Sequence, residues 1–249
     1  AVWTLGKLEP AALAQHGAVL VAKLEDSDEY VRTAAVETLG KLEPLALAQH
    51  GAALVARLED SDVRVEIAAR FVMHKLEPAA GHIDAVAAKL ENSSPSARKA
   101  AVQALGKLEP AALAQHGAAL VARLEDSDWY VRFEAVQTLG KVKAAALVPH
   151  AAALAARLED SDGVVRSAAA RTLGKLEPAA LVQHGAALVA RLEDSERRVR
   201  RAAVQTLGEL EPAALAQYEQ VLAKAAEEDE DEDVRDAAAK VLTKLRAGQ

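Results

Sequence analysis

Leu24-Glu25-Asp26-Ser27-Asp28-Glu29-Tyr30-Val31-Arg32-Thr33-Ala34-Ala35-Val36-Glu37-Thr38-Leu39-Gly40 is one filling of a frame that recurs down the chain. Copies begin at Leu24, Leu58, Leu90, Leu124, Leu158 and Leu192, and a degenerate acidic copy begins at Ala226. The spacing is 34 residues throughout, apart from 32 into the copy at Leu90. Most columns hardly change. The pair before the Val-Arg position changes every time: Glu29-Tyr30, Val63-Arg64, Pro95-Ser96, Trp129-Tyr130, Gly163-Val164 and Arg197-Arg198. A third variable column holds Thr33, Ile67, Lys99, Phe133, Ser167 and Arg201. A fourth holds Glu37, Phe71, Gln103, Gln137, Arg171 and Gln205, and Trp3 falls in it too. Six of the seven aromatic residues lie in these columns. A fixed frame with one variable aromatic and charged stripe is the pattern of a binding surface rather than an active site.

Each copy reads as two helices. In the copy from Pro10 to Leu42, Leu13, Gly17, Leu20, Val21 and Leu24 share one helical face. Pro10 suits a first helical turn, where its missing N–H would have no partner. Helix A is therefore expected over Pro10–Glu25, with a kink at His16-Gly17. The turn Asp26-Ser27-Asp28 follows, and Ser27 or Asp28 can cap the next helix. Helix B is expected over Glu29–Leu42, with Val31, Ala35, Leu39 and Leu42 as its core stripe. Positions 29, 30, 33 and 37 lie roughly opposite that stripe and are expected to be exposed.

The signature Asp-x-x-Val-Arg-x-x-Ala-(x)3-Leu-Gly, as it stands in Asp28–Gly40, resembles HEAT repeats, especially the HEAT-like class found in phycobilisome lyases. The resemblance covers the whole chain. It implies an all-α fold, a right-handed α-α superhelix of seven helix pairs plus a leading half-helix. The pairs are expected at 10–42, 44–76, 78–108, 110–142, 144–176, 178–210 and 212–245 in a single array, with 1–8 a truncated helix. It also implies that helix B lines the concave side and that turn Asp and helix Arg residues form a ladder between repeats. Here the ladder would use Asp28/Arg32, Asp128/Arg132 and Asp162/Arg166, with Arg98, Arg200 and Arg235 as further rungs. Glu66 stands where the second copy should have its Arg, and the third copy is two residues short near Gly81-His82-Ile83. A weakened joint is expected there. Ala1–Gly6 aligns with Ala35–Gly40, which leaves an apolar edge open to end-to-end self-association.

Composition narrows the function. Half the residues are apolar but only 3% are aromatic, so Ala, Leu and Val must make the core. A net charge of −7 is a poor basis for binding nucleic acid, whose affinity rests on Lys and Arg neutralising phosphates. There is no cysteine, hence no disulfide and no thiolate chemistry, which fits the cytosol. No run approaches the roughly 18 apolar residues that would cross a membrane. Stability in such arrays is local, because each repeat touches only its neighbours.

The stripe supplies the candidate partner-binding residues: Tyr30, Arg64, Ile67, Phe71, Trp129, Tyr130, Phe133, Arg197, Arg198 and Arg201. Substituting the rings is expected to leave folding almost untouched. Arg197–Arg201 suits a carboxylate- or phosphate-bearing partner, since Arg binds both bidentately; ordinary surface charge is the alternative. One His recurs per repeat, at His16, His50, His82, His116, His150 and His184. Stacked helices are about 8–10 Å apart and zinc ligands sit about 2 Å from the ion, so two of these cannot share a metal. A scaffold role is the better reading. His74, in place of the helix-B Gly, reads as drift, and the acidic run 227–233 as a solvated cap. No catalytic constellation or cofactor motif appears, and the His-Glu dipeptides of the iron-binding HEAT-like enzymes are absent. The expected function is non-catalytic recognition of a protein or peptide on the concave helix-B face. A binder selected from a library and a lyase-type enzyme or enzyme subunit are the other readings weighed.

Overall fold

The computed structural model describes residues 2–73, 75–76 and 80–247. His74 and the side chain of His82 lie outside the described residues. Among the described residues there is no strand, and the chain is an α-solenoid of repeated helix pairs. It falls into two compact units, residues 1–119 and 120–249.

Helix A is more broken than its apolar spacing implies. In the first copy it runs Pro10–Ala14, leaves the helical region at His16 (φ −103°, ψ 8°) and resumes over Gly17–Lys23. The expected core stripe survives the break: Leu13, Gly17, Leu20 and Leu24 are buried, and Val21 is half-buried. At the break the next repeat packs in closely. A Cβ on Gly17 would collide with the imidazole of His50 in the next copy, and one on Gly185 would collide with the Tyr218 phenol. The ring of one repeat fills the space left by the glycine of the preceding repeat, which is the scaffold role expected of the His column.

Helix B is regular: Glu29–Leu39, Val63–Met73 and Pro95–Leu105 in the first unit, and Trp129–Leu139, Gly163–Leu173 and Arg197–Leu207 in the second. Asp28 and Asp128 start theirs by accepting from the N–H groups two and three residues on, at 2.8–3.4 Å. Gly40, Gly106, Gly140, Gly174 and Gly208, which end their helix B, keep a right-handed conformation, and no described glycine has positive φ. Close approach is what demands it. A Cβ on Gly40 would lie 2.6 Å from Val72 Cγ2, and one on Gly140 3.1 Å from Thr172 Oγ1. At this end Lys41 donates to the Gly6 carbonyl (2.7 Å) and Lys75 to that of Gly40 (3.1 Å). Lys175 does the same to Gly140 (2.6 Å) and Lys244 to Gly208 (2.8 Å). Each cation satisfies an orphan carbonyl at the negative end of the preceding helix.

The Arg–Asp ladder exists, but with a different Asp from the one the resemblance suggested. Asp28, Asp128 and Asp162 are spent on helix caps. Arg32 instead crosses to Asp60 of the next copy in a bidentate pair (3.0 and 2.7 Å), while its third nitrogen donates to the Asp26 carbonyl (2.9 Å). Arg132 meets Asp160 (2.7 and 2.7 Å), Arg166 meets Asp194 (2.8 and 2.8 Å), and Arg200 meets Asp229 (2.8 and 2.9 Å). At Asp60 and Asp160 the first Asp of Leu-Glu-Asp-Ser-Asp is thus the rung, and the second, Asp62 or Asp162, is the cap. Burial alone would push the Asp160 carboxyl up. The Arg132 guanidinium and the Asp162 N–H outweigh it and hold the group below the usual carboxylate range.

At the joint between the second and third copies both halves of the rung are gone together. Glu66 replaces the Arg, and Asn92 replaces the Asp. A neutral amide removes the cost of a carboxylate with no guanidinium to meet it. Other contacts bridge the joint: Arg70 donates to Ser96 Oγ (3.0 Å), Lys89 pairs with Glu59 (2.7 Å), and Asn92 donates to Glu59. Restoring both partners, with Glu66→Arg and Asn92→Asp, is expected to raise stability by about 1 kcal/mol. Glu66→Arg alone should gain less. Urea denaturation followed by helical circular dichroism checks this, and equal stability of the double variant and wild type would mean the substitute contacts already compensate.

Burial pushes the pKa of His50 and His184 down. The unfolded chain, with a His pKa of about 6.5, then binds protons before the folded chain does. Stability from these residues is full above that value and is lost as pH falls below it. The denaturation midpoint should therefore drop between about pH 7.5 and 5.5. The drop should be smaller in a His50→Asn, His184→Asn variant; an identical drop would place the sensitivity elsewhere.

Candidate partner-binding surface

The first and third variable columns, with the fourth, form an i, i+4, i+8 line along each helix B; the second column stands beside it. In the first unit the line on the second helix B is apolar and open to solvent. Val63 is 61%, Ile67 36% and Phe71 68% exposed. Isolated exposed apolar residues are ordinary, but three in a row along one helix call for a covering partner. Val63 was absent from the candidates, although its column also holds Trp129. An aliphatic residue in that column gave no aromatic signal. On the adjacent helix B Tyr30 is exposed, and the Arg64 guanidinium carbon lies 4.3 Å from its ring centroid. Arg64 also reaches Glu29 (3.1 Å) and Asp62 (3.0 Å). Chiefly through the Arg64 hydrogen bond, the Asp62 carboxyl is lowered to about 2. Tyr30 and Arg64 are thus brought together across two repeats.

In the second unit Trp129, Tyr130 and Phe133 form a ring cluster on one helix. Trp129 meets Tyr130 edge-on at 5.2 Å between centroids, and Tyr130 meets Phe133 at 5.8 Å. Trp129 is exposed, whereas Tyr130 and Phe133 are half-buried. Burial, with Glu134 nearby, raises the Tyr130 pKa. The expectation that substituting these rings leaves folding untouched therefore fits Trp129 better than the other two. On the next helix B the stripe is low. Gly163 and Val164 are half-buried, and Ser167 is fully buried, donating to the Arg198 carbonyl (3.1 Å). The third column is thus not exposed in every copy, because a small side chain lies below taller neighbours.

The following helix B carries the arginines, all three exposed. They are engaged with the chain's own carboxylates: Arg197 with Asp231 (3.0 Å), Arg198 with Glu196 (3.1 Å) and Arg201 with Asp233 (3.1 Å). The acidic run is accordingly more than a solvated cap. Asp229 serves as a rung, and Asp231 and Asp233 reach back to the preceding repeat. Arg171, Arg197, Arg198 and Arg201, with Gln205, Asp231 and Asp233, line a groove of about 390 Å³. Among the described residues no group of three or more His, Asp or Glu could hold a metal, and no helix is long and apolar enough to cross a membrane.

A family model for HEAT repeats matches residues 117–184 and 185–248, together more than half of the chain. A second model, for a HEAT repeat associated with sister chromatid cohesion, matches residues 83–105. No curated protein matches the chain. Among solved structures, the crystal structure of an engineered protein is similar in fold, with a TM-score of 0.58 and 20% sequence identity, covering 93% of this chain and 97% of that one.

Proposed function

The chain belongs to the HEAT-repeat family, whose members are typically protein-interaction scaffolds, and on that premise we propose that it is a non-catalytic scaffold that binds a protein partner through its helix-B face. In HEAT-like proteins that face is the concave one. One observation carries the reading: the constant residues are spent inside the fold, whereas the variable ones, Ser167 excepted, keep exposed surface. The invariant Leu and Ala are core, the Arg and Asp are rungs and caps, and the Gly and His make room for one another. Among the residues left over are Tyr30, Ile67, Phe71 and Trp129, large and exposed on one side of helix B. Trp, Tyr and Arg are the residues most enriched in binding hot spots, and stacked repeats within a unit set such columns side by side.

Affinity capture with the full chain as bait tests this, with wild type beside a Phe71→Ala, Trp129→Ala variant. A partner retained by wild type and lost by the variant supports the helix-B face. Equal recovery by both places the contact elsewhere on the molecule.

A further inference from the structure

The second unit arranges its helix-B face in three steps. The Trp129–Leu139 helix presents three rings. The Gly163–Leu173 helix beside it presents almost nothing in the first three columns, with Gly163 lacking a side chain and Ser167 fully buried. The Arg197–Leu207 helix beyond presents Arg197, Arg198 and Arg201, and Arg171 joins them in the groove. An apolar wall and a cationic wall thus flank a low floor. Two helix spacings separate them, about 18 Å.

We propose that this trough binds an acidic segment of a partner protein, with a bulky apolar side chain on the Trp129 cluster and carboxylates on the Arg171, Arg197 and Arg201 guanidiniums. It rests on the helix-B reading of function and adds the partner's chemistry to it. Charge complementarity selects this occupant. The guanidiniums already hold carboxylates of the chain itself, so Asp231 on Arg197 and Asp233 on Arg201 stand in for those of a ligand. Arg171 is exposed, with no carboxylate partner among the described residues. The Arg201–Asp233 pair is open to solvent on both sides (49% and 63% exposed), and in the Arg197–Asp231 pair the guanidinium is 73% exposed and the carboxylate 15%. Pairs of that kind are weak enough to exchange for an incoming polyanion. The last repeat's acidic run then acts as an internal competitor for the groove. An extended peptide spans the distance between the walls in about six residues, so anchor and acidic residues should be separated by roughly that length.

A random peptide library displayed on phage and selected on the full chain tests the proposal. Enriched peptides should pair a large apolar or aromatic residue with Asp or Glu. For a synthetic peptide from that pool, Arg171→Ala with Arg197→Ala should weaken binding at least about tenfold. Asp231→Asn with Asp233→Asn should tighten it by about fivefold, because two competing pairs are removed. Asn retains the capping ability of Asp231 at the start of the last helix. Selection of basic or uncharged peptides, no selection at all, or no tightening in the Asn variant would overturn the proposal. A captured partner lost on Trp129→Ala but indifferent to the arginines would leave the helix-B reading standing and remove this one. A partner indifferent to both Trp129→Ala and Phe71→Ala would remove the helix-B reading itself.

Discussion

Arg132→Ala should destabilise the protein by about 3–5 kcal/mol, the usual cost of removing one member of a buried ion pair. Both side chains are almost fully buried, and the guanidinium meets the carboxylate through two bonds of 2.7 Å. Its third nitrogen also donates to the carbonyls of Asp126 (2.9 Å) and Ser127 (3.3 Å). Truncation therefore leaves Asp160 poorly compensated and two turn carbonyls without their donor. Replacing both partners by leucine should recover only part of the loss, because the carbonyls remain unmet. The Asp160 carboxyl is held low by the pair despite its burial. The pair's contribution is therefore complete above the unfolded carboxyl pKa of about 3.9 and disappears as pH falls through the lower folded value. The gap between wild type and variant in urea denaturation should thus be wide at neutral pH and close below about pH 4. A variant as stable as wild type at neutral pH would mean that the ladder is dispensable.

The second large effect is on binding. Trp129→Ala should weaken partner affinity by at least about 2 kcal/mol, the scale of a hot spot. Its folding cost should stay near 1 kcal/mol or below, since the ring is 42% exposed. Tyr130→Ala and Phe133→Ala should cost more in folding, about 1–2 kcal/mol each, because both rings are half-buried and stacked edge-on. Denaturation and titration of the same variants separate the two effects.

The fold was legible because the repeat declares itself. Thirty-four-residue spacing, the apolar stripes and the Asp–Arg–Gly frame each point to paired helices, and the structure contains them. What the sequence could not settle was which of two identical residues does which job. Asp160 and Asp162 stand two apart in one turn, and only the geometry separates the rung from the cap. The break in helix A was readable as a kink at His16-Gly17. The ring that packs against the glycine there was not, because it belongs to the next copy. The candidate surface was readable as variable columns, and Tyr30, Phe71 and Trp129 stand on it. Val63 carried no aromatic signal. The pairing of the Arg197–Arg201 cluster with Asp231 and Asp233 depends on side-chain reach between repeats. Spacing alone does not report that.

The central claim is that the frame holds the fold and the variable helix-B columns bind. Isothermal titration of the captured partner into wild type, Phe71→Ala, Trp129→Ala and Val182→Ala tests it most directly. Val182 is an exposed valine in the helix-A segment of its repeat and serves as the control. The account predicts at least about a thirtyfold rise in Kd for Trp129→Ala or Phe71→Ala, and none for Val182→Ala. Unchanged affinity in both helix-B variants, or a loss confined to Val182→Ala, would contradict it.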